Sequence, residues 1–359
     1  FVLKQGYKAG LISSAIQLNS NLQRILETVL EEPEELSVAK ALLLGERNEI
    51  PTELLNRFKG AGAMHILAIS GLHVGIIHLI LMFLTRPLIL LRKGRTLRLI
   101  LVLFGLWGYA LVTGLAVSAI RAVSMFTLLT LGYALNRRTS LLHNLVNSAF
   151  ILLIINPLFL FDLGFQLSYS ALLGIAVGAF LFEDKKRRGE GASKIQTYFL
   201  GLTLVSCSAQ LGVMPLSLYY FNQFSGLFLM SSLVLLPVLG TTLIFGYSVI
   251  AASTFFRIPA LVQNSFQTWL ELINNTIEWI GGIEELILKG VYFPFSFLIL
   301  TSLGMLLFIT GHIKRKSIFI FASGACLLCM QLLWIHGRVS LIRNEKLIVF
   351  HQRGESLVV

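Results

Sequence analysis

The chain has 359 residues, of which 55% are hydrophobic and only 13% are charged. Soluble globular domains carry about 25% charged residues, so the composition excludes an ordinary soluble domain and indicates a protein that is solvated mainly by lipid. The formal net charge of +11 would suit a nucleic-acid partner, but basic loops that set membrane orientation explain most of that charge.

Two helices are predicted ahead of the first hydrophobic span. Residues 12–30 and 35–44 have helical patterns, and Glu34 and Glu35 follow Pro33 as at a typical helix start. Residues 1–62 are therefore interpreted as a helical lead-in segment.

Residues 63–85 form an apolar stretch long enough to span a bilayer, which takes about 20 residues. Polar residues inside such a stretch are costly and indicate a pathway or a buried contact. The stretch contains His65, Ser70, His73 and His78, with Gly71 and Gly75 among them. Positions 65, 69 and 73 would share one face of a continuous helix, so His65 and His73 are expected to point the same way.

Hydropathy predicts further spans along the chain. They cover residues 99–115, 118–136, 143–161, 163–182, 196–214, 294–311 and 317–335. Residues 225–256 are also apolar, but Pro237 and Gly240 interrupt them, and proline removes a helical hydrogen bond. A broken or re-entrant helix pair is expected there. The predicted fold is an all-α polytopic membrane protein with about eight full transmembrane helices.

Basic residues occur in every second connection of this bundle. They cluster in residues 86–98, 137–138, 185–194 and 314–316. The positive-inside rule places these connections in the cytoplasm and both ends of the chain on the outer side. The alternation requires residues 225–256 to enter the membrane and return to the outer side, which supports the broken pair.

Two elements outside the spans complete the predicted organisation. Residues 261–280 have apolar residues at three- and four-residue spacings, which predicts an amphipathic helix at the lipid interface or packed on the protein. Residues 346–350 and 355–359 are typical of a β-hairpin that begins a truncated outer-side β domain. The predicted domains are the lead-in at 1–62, a transmembrane domain at 63–336 and the start of a soluble domain at 337–359.

Five segments carry a resemblance to a known family. They read ALLLGERNEIP (41–51), FKGAGAMHILAISGLHVG (58–75), GLAVSAIRAVSM (114–125), NPLFLFDLGFQLSYSALLG (156–174) and QLGVMPLSLYYFNQF (210–224). Together they resemble the ComEC family of competence proteins, the inner-membrane channels for DNA uptake in natural transformation. The resemblance implies a competence domain in the bacterial inner membrane that passes single-stranded DNA to the cytoplasm. The implied partners are the DNA strand, the bilayer, an outer-side DNA receptor, a cytoplasmic ATPase, single-strand-binding proteins and further copies of the chain in a homo-oligomer.

Seven residues are candidates for the DNA path, because a strand with a phosphate at every nucleotide needs polar groups and close backbone approach at membrane depth. They are Ser70, Gly71, His73, His65, Arg121, Gln166 and Gln210. Arg121 interrupts an uncharged run, where its planar fork would suit either a phosphate or an ion pair with Asp162. Both interpretations stay open at this point, and so does a purely packing role for the histidines.

Other residues are expected to have structural roles. They are Asp162, Ser168, Gly75, Pro215 and Pro237. Gly71 and Gly75 form a small-xxx-small pattern, which is typical of helix contacts.

No catalytic, metal or cofactor site is predicted, so the chain is not expected to be an enzyme. The three cysteines lie in apolar runs, and a zinc site built from His65, His73 and His78 would lack a fourth ligand. No nucleotide-binding motif is present in the sequence, so the driving force would come from another protein. Two other functions are left open: a secondary transporter of a small anionic solute or lipid, which a broken helix pair would suit, and an intramembrane metalloenzyme.

Overall fold

The structure is a computed structural model that describes residues 10–135, 140–187, 194–283, 287–343, 349–352 and 355–358. Its helices are α1 Leu11–Val29, α2 Pro33–Ala39, α3 Thr52–Gly60, α4 Met64–Leu67, α5 Gly71–Leu84, α6 Gly94–Val112, α7 Val117–Ala134, α8 Leu141–Ile155, α9 Leu163–Arg187, α10 Lys194–Phe221, α11 Phe228–Phe255, α12 Ala260–Gly281, α13 Phe295–Lys314 and α14 Ser317–Arg343. Short strands are β1 Gln223–Ser225, β2 Ile287–Lys289, β3 Val349–Gln352 and β4 Glu355–Val358. The predicted lead-in helices are present as α1 and α2.

Seven helices of the described residues are long and apolar enough to cross a membrane, namely α6, α7, α9, α10, α11, α13 and α14. Two shorter apolar helices, α5 and α8, coincide with the other two predicted spans. The prediction of an all-α multi-pass membrane protein is therefore confirmed. The basic residues at 137–138 lie outside the described residues, and so does Arg188.

The first predicted span is not one continuous helix, which corrects the sequence prediction. The chain forms the short helix α4, leaves helical geometry over residues 68–70, and starts α5 at Gly71. Ser70 has extended backbone angles and is the N-cap of α5, where its backbone N–H donates to Nδ1 of His73 at 3.2 Å. This local bond satisfies one of the free donors at the helix start. A hydropathy profile does not detect a capping residue inside an apolar run.

The predicted break at Pro237 is wrong. Residues Phe228–Phe255 form one helix, α11, with Pro237 inside it. Proline removes a single hydrogen bond, whereas breaking a helix in an apolar environment would leave several backbone groups unpaired at several kcal/mol each. The apolar sequence on both sides of Pro237 therefore keeps the helix continuous.

Helices α11 and α12 form an antiparallel hairpin closed by two strands. Strand β1 precedes α11, strand β2 follows α12, and the two pair antiparallel with Ser225 opposite Ile287. Within the hairpin, Nε1 of Trp269 donates to the Thr242 hydroxyl at 2.9 Å. Helix α12 therefore brings the chain back to the end of the hairpin at which α11 begins. The return does not involve a break at Pro237.

The N-terminal helices pack on the α11–α12 hairpin around a common core. The apolar face of α12, including Phe266, Leu270 and Ile273, is buried there with Leu26 and Leu43 of the N-terminal segment. The amphipathic helix predicted at 261–280 is therefore present, and its apolar face contacts protein. Of its two tryptophans, only Trp279 is exposed.

Ion pairs of Lys40 and Arg57 stabilise the N-terminal segment. Lys40 is buried and lies 2.8 Å from Glu27 and 2.6 Å from Glu49. Burial by itself lowers the pKa of Lys40, but the hydrogen bonds from these two carboxylates outweigh it and raise the pKa above its usual value. Arg57 joins α3 to α12 through Glu278 at 3.2 Å.

A second cluster of buried apolar residues joins α5, α6 and α7. It includes Val74 of α5, Leu106 of α6 and Val123 of α7. Gly75 lies against Phe126, and His78 against Thr130. Since the residue numbers increase together along both helices, α5 and α7 run parallel.

The chain divides into two compact units, residues 1–214 with 223–290, and residues 215–222 with 291–359. The smaller unit contains the helix pair α13–α14 and the end of α10, where Tyr219 lies against Phe295 with ring centroids 5.9 Å apart. It also contains the predicted C-terminal hairpin, in which β3 pairs antiparallel with β4.

Candidate functional site

Two of the motif segments meet a third segment at the start of α5. Gly45 has a positive φ of 77°, and a Cβ on it would lie 2.5 Å from Cδ1 of Ile69 and 3.7 Å from Cβ of Thr113. Only glycine is compatible with that backbone geometry and that close approach. The segment around Gly45, the segment around Ile69 and the end of α6 therefore converge on one point.

Ser70 and His73 form the first polar cluster at this point, named here the α5 cluster. Nδ1 of His73 accepts the backbone N–H of Ser70 at 3.2 Å and lies 2.9 Å from the Ser70 hydroxyl. Because Nδ1 acts as the acceptor, Nε2 carries the proton in the neutral ring. His73 is fully buried, and its Nε2 has no hydrogen-bond partner among the described residues. A buried donor without a partner is costly and is a group that a passing ligand can satisfy.

The other candidates in the first span do not join His73. His65 lies on α4, is exposed, and has Nδ1 3.1 Å from the carbonyl of Gly62. The expectation that His65 and His73 share a helix face is wrong, because the chain leaves helical geometry between them. Gly71 faces open space, whereas a Cβ on Gly75 would lie 3.1 Å from Phe126. Only the second glycine of the pattern packs against another helix.

His78 has a packing role. It is buried, and its Nε2 lies 3.0 Å from the hydroxyl of Thr130. Thr130 donates its own proton to the carbonyl of Phe126 at 2.6 Å, so it accepts from the histidine. The three histidines thus have three different partners, and the described residues contain no group of side chains arranged to hold a metal ion.

Arg121 and Asp162 form the second polar cluster together with Ser148 and Tyr169, named here the α7–α9 cluster. Nη1 of Arg121 lies 3.5 Å from Oδ1 of Asp162, and that same oxygen accepts the backbone N–H of Phe165 at 2.7 Å. The carboxylate is thus used mainly to cap α9. Arg121 is 7% exposed, and its Nε has no partner among the described residues. The guanidinium is buried but incompletely paired, which is costly in a membrane.

The Arg121 guanidinium lies close against the backbone of α9 because residue 164 is glycine. A Cβ at this position would be 3.4 Å from Nη1, 3.4 Å from Nη2 and 3.2 Å from Oδ1 of Asp162. Such contacts are tighter than those of most side-chain carbons, so the guanidinium can lie here only because residue 164 has no side chain. A buried guanidinium with an unpaired N–H is a group that can bind an oxyanion.

The remaining candidates line the same helices. The Tyr169 hydroxyl lies 3.1 Å from that of Ser148, which donates to the carbonyl of Leu145. Gln166 donates to the carbonyl of Leu160 at 2.9 Å. Ser168 and Gln210 are half-buried in α9 and α10, and Pro215 lies inside α10 where the larger unit ends.

The two clusters lie at the same height of the bundle on different faces of α7. The parallel pairing of α5 with α7 places Ser70 level with Arg121. Phe126 faces α5, and Arg121 is about 140° away from it around a helix with 3.6 residues per turn. The structure therefore brings Arg121 to Asp162 but does not bring it to His73.

Sequence reasoning missed three features of these clusters. Gly164, Thr130 and Arg47 were not singled out, although Arg47 belongs to the first motif segment and is close enough for its charge to act on His73. The sequence does not show which of its glycines lies against a side chain. The one available signal was Arg47, a cation two residues after Gly45 in the first motif segment.

A family model described as Competence protein matches residues 42–316. The chain belongs to the Competence protein family. It is 29% identical over 342 residues to ComE operon protein 3 of Bacillus subtilis (strain 168), a match that covers 91% of this chain and 42% of that protein. It is 30% identical over 281 residues to an uncharacterized protein of Aquifex aeolicus (strain VF5), covering 77% of this chain and 62% of the relative.

This competence protein therefore spans less than two thirds of the length of either relative. No solved structure matches it. All five motif segments lie at least partly within the matched residues, and both polar clusters lie entirely within them.

Proposed function

We propose that this chain forms a channel that passes single-stranded DNA across the bacterial cytoplasmic membrane during competence. The membership in the Competence protein family supports a role in DNA uptake, and the name of the Bacillus relative, ComE operon protein 3, agrees with it. The observation that carries the channel proposal is the buried guanidinium of Arg121, whose Nε has no partner among the described residues. A DNA phosphate is the kind of ligand that such a fork binds.

In this proposal the strand passes the α7–α9 cluster, and each phosphate in turn accepts a hydrogen bond from the unpaired Nε–H of Arg121. Asp162 prevents tight binding, because its carboxylate lies 3.5 Å from the same guanidinium and repels a phosphate. Weak, repeated binding is what conduction through a pore requires. His73, with its free Nε2 donor on the other face of α7, would bond a second point of the strand or of its surroundings.

The proposal includes the surroundings of the channel. The chain performs no covalent chemistry, and the driving force comes from a cytoplasmic ATPase. Single-strand-binding proteins receive the strand inside, an outer-side receptor supplies it, and both ends of this chain lie on the outer side. Homo-oligomers are part of the same proposal.

A second function is favoured by the discontinuity between α4 and α5. Broken helices with polar residues at the break bind small anions in secondary transporters, and Ser70 with His73 lies at such a break. The chain would then carry a small anionic solute or lipid.

Uptake of labelled DNA into the cytoplasm distinguishes the two functions. Cells lacking the gene are complemented with the wild type, with Arg121→Lys or with Arg121→Gln. The channel proposal expects no uptake in the deletion strain, partial uptake with Arg121→Lys and a loss of at least tenfold with Arg121→Gln. Normal uptake in the deletion strain, with the other uptake components active, would support the transporter instead.

A further inference from the structure

The connection between α5 and α6 together with the first turn of α6, residues 85–98 and named here the α5–α6 loop, has features that the proposed channel does not use. Helix α5 has 14 residues, which gives a length of roughly 21 Å against about 30 Å of bilayer hydrocarbon. Helix α5 alone is therefore shorter than the hydrocarbon layer, and the residues that flank it are left to cover the rest of the bilayer thickness.

The α5–α6 loop has a defined fold. A 3-10 turn runs over Arg86–Leu90, and the backbone N–H of Gly94 donates to the carbonyl of Leu91 at 2.9 Å. A Cβ on Gly94 would lie 1.7 Å from the carbonyl oxygen of Leu88, so no larger residue fits. Arg98 reaches back to the carbonyl of Met82 at 2.9 Å and caps the end of α5.

Apolar side chains at the tip of the α5–α6 loop point outward. Leu90 is 91% exposed, and its neighbours Ile89 and Leu91 are also exposed. Three consecutive exposed aliphatic residues favour insertion into a bilayer over contact with water.

Cations surround this apolar tip. Arg86, Arg92, Lys93 and Arg95 are all exposed, and none of them takes part in an ion pair among the described residues. The sequence contains no acidic residue between Glu53 and Asp162. The positive charge of the α5–α6 loop is thus without a counter-charge nearby in the sequence.

We propose that the α5–α6 loop is a docking surface for anionic phospholipids, with Leu90 inserted among the acyl chains and the four cations on the headgroup phosphates. Each cation near an anionic membrane surface strengthens binding about fivefold. The apolar tip favours a lipid over a nucleic acid as the ligand. A DNA backbone has no apolar surface against which Ile89, Leu90 and Leu91 could pack. The bound lipids hold the short helix α5 at a fixed depth.

The test counts phosphatidylglycerol molecules retained by the purified protein in native mass spectrometry. One variant carries Arg92→Gln, Lys93→Gln and Arg95→Gln. Its matched control carries Lys314→Gln, Arg315→Gln and Lys316→Gln, which removes the same charge from another basic connection. We expect the affinity for phosphatidylglycerol to fall by roughly fivefold per charge in the first variant and by less than twofold in the control. Equal losses in both variants, or no loss in either, would overturn the proposal.

A second measurement locates the apolar tip without weakening the fold. Leu90→Trp is placed in vesicles of phosphatidylglycerol and phosphatidylcholine with brominated acyl chains, and its fluorescence is compared with that of the parent protein. We expect quenching of the added tryptophan. An unquenched tryptophan would mean that the tip lies in water and would refute the proposal. So would release of the lipid by a single-stranded oligonucleotide that binds the parent protein and not the first variant.

Discussion

Gly164 lies directly against the guanidinium of Arg121, where a single added carbon would be 3.4 Å from both terminal nitrogens. This relationship joins two motif segments, on α7 and α9, that are far apart in the sequence. A side chain at residue 164 would displace the buried guanidinium from this position.

Gly164→Ala is expected to lower DNA uptake several-fold at an unchanged protein level. The added methyl group would be in tight contact with the Arg121 guanidinium and would push it by a few tenths of an ångström. Gly108→Ala is the matched control, because a Cβ at residue 108 of α6 meets nothing within 4 Å. Uptake assays with quantified membrane protein check the prediction. An equal effect of both changes would show that the close contact between Gly164 and Arg121 has no special role.

His73→Ala and His78→Ala are expected to differ in kind. His73 has a free Nε2 donor, so its loss should reduce DNA uptake, and because it is fully buried and bonds the Ser70 N–H its loss should also lower the melting temperature of the detergent-solubilised protein. His78 bonds Thr130 at 3.0 Å between two helices, and such bonds contribute about 0.6 kcal/mol. Its loss should lower the melting temperature slightly and leave uptake intact. Normal uptake with His73→Ala and reduced uptake with His78→Ala would show that the roles assigned to the two histidines are wrong.

The stability of the protein should fall at alkaline pH through Lys40. The pKa of Lys40 is raised in the folded protein by hydrogen bonds that outweigh its burial, so its contribution is fully present below the unfolded pKa near 10.5. It is lost as the pH rises through the higher folded pKa. Lys40→Met should reduce stability by about 2 kcal/mol at neutral pH and should flatten the decline above pH 10.5.

Thermal unfolding in detergent from pH 8 to 12 measures this effect. Lys93→Met, which changes an exposed lysine without a described ion pair, serves as the control. An unchanged alkaline decline in Lys40→Met would mean that other groups cause it.

A disulfide between Ser225→Cys and Ile287→Cys should form readily, because these positions are opposite each other in the β1–β2 pair. The three native cysteines are first replaced by serine or alanine. A second pair, Ser225→Cys with Ser253→Cys, provides the control, since these residues are close to opposite ends of α11. Gel mobility of a protein cut between residues 225 and 287 detects the bond. If the disulfide does not form in the first pair, the α11–α12 hairpin closed by β1 and β2 is contradicted.

The sequence predicted the helices well because long apolar runs have few alternatives in lipid. It failed at residues 68–70, where a local bond between Ser70 and His73 starts a new helix inside an apolar run. It failed at Pro237 for the opposite reason, since the apolar environment keeps a proline-containing helix continuous. The β1–β2 pair was missed because three-residue strands distant in sequence leave no periodic pattern.

The sequence predicted a contact within the site only where charged residues were involved. Asp162 was one of two candidate partners for Arg121, beside a phosphate, because it lies at the start of the neighbouring span, and the structure brings the two together. The close contact between Gly164 and Arg121 depends on helix rotation and spacing, which composition and periodicity do not encode. For the same reason, the sequence could not show that His73 and Arg121 lie on different faces of α7.

Photocrosslinking during DNA uptake tests the central claim most directly. A benzophenone amino acid replaces Gln166, one turn from Asp162 on α9, or Phe150, which is exposed on the apolar helix α8. Labelled DNA is supplied to competent cells under illumination, and the purified protein is examined for covalently bound strand. The channel account predicts labelled single-stranded DNA on the variant at 166 and none on the variant at 150. Crosslinks to lipid or protein alone at both positions, while uptake proceeds, would contradict it.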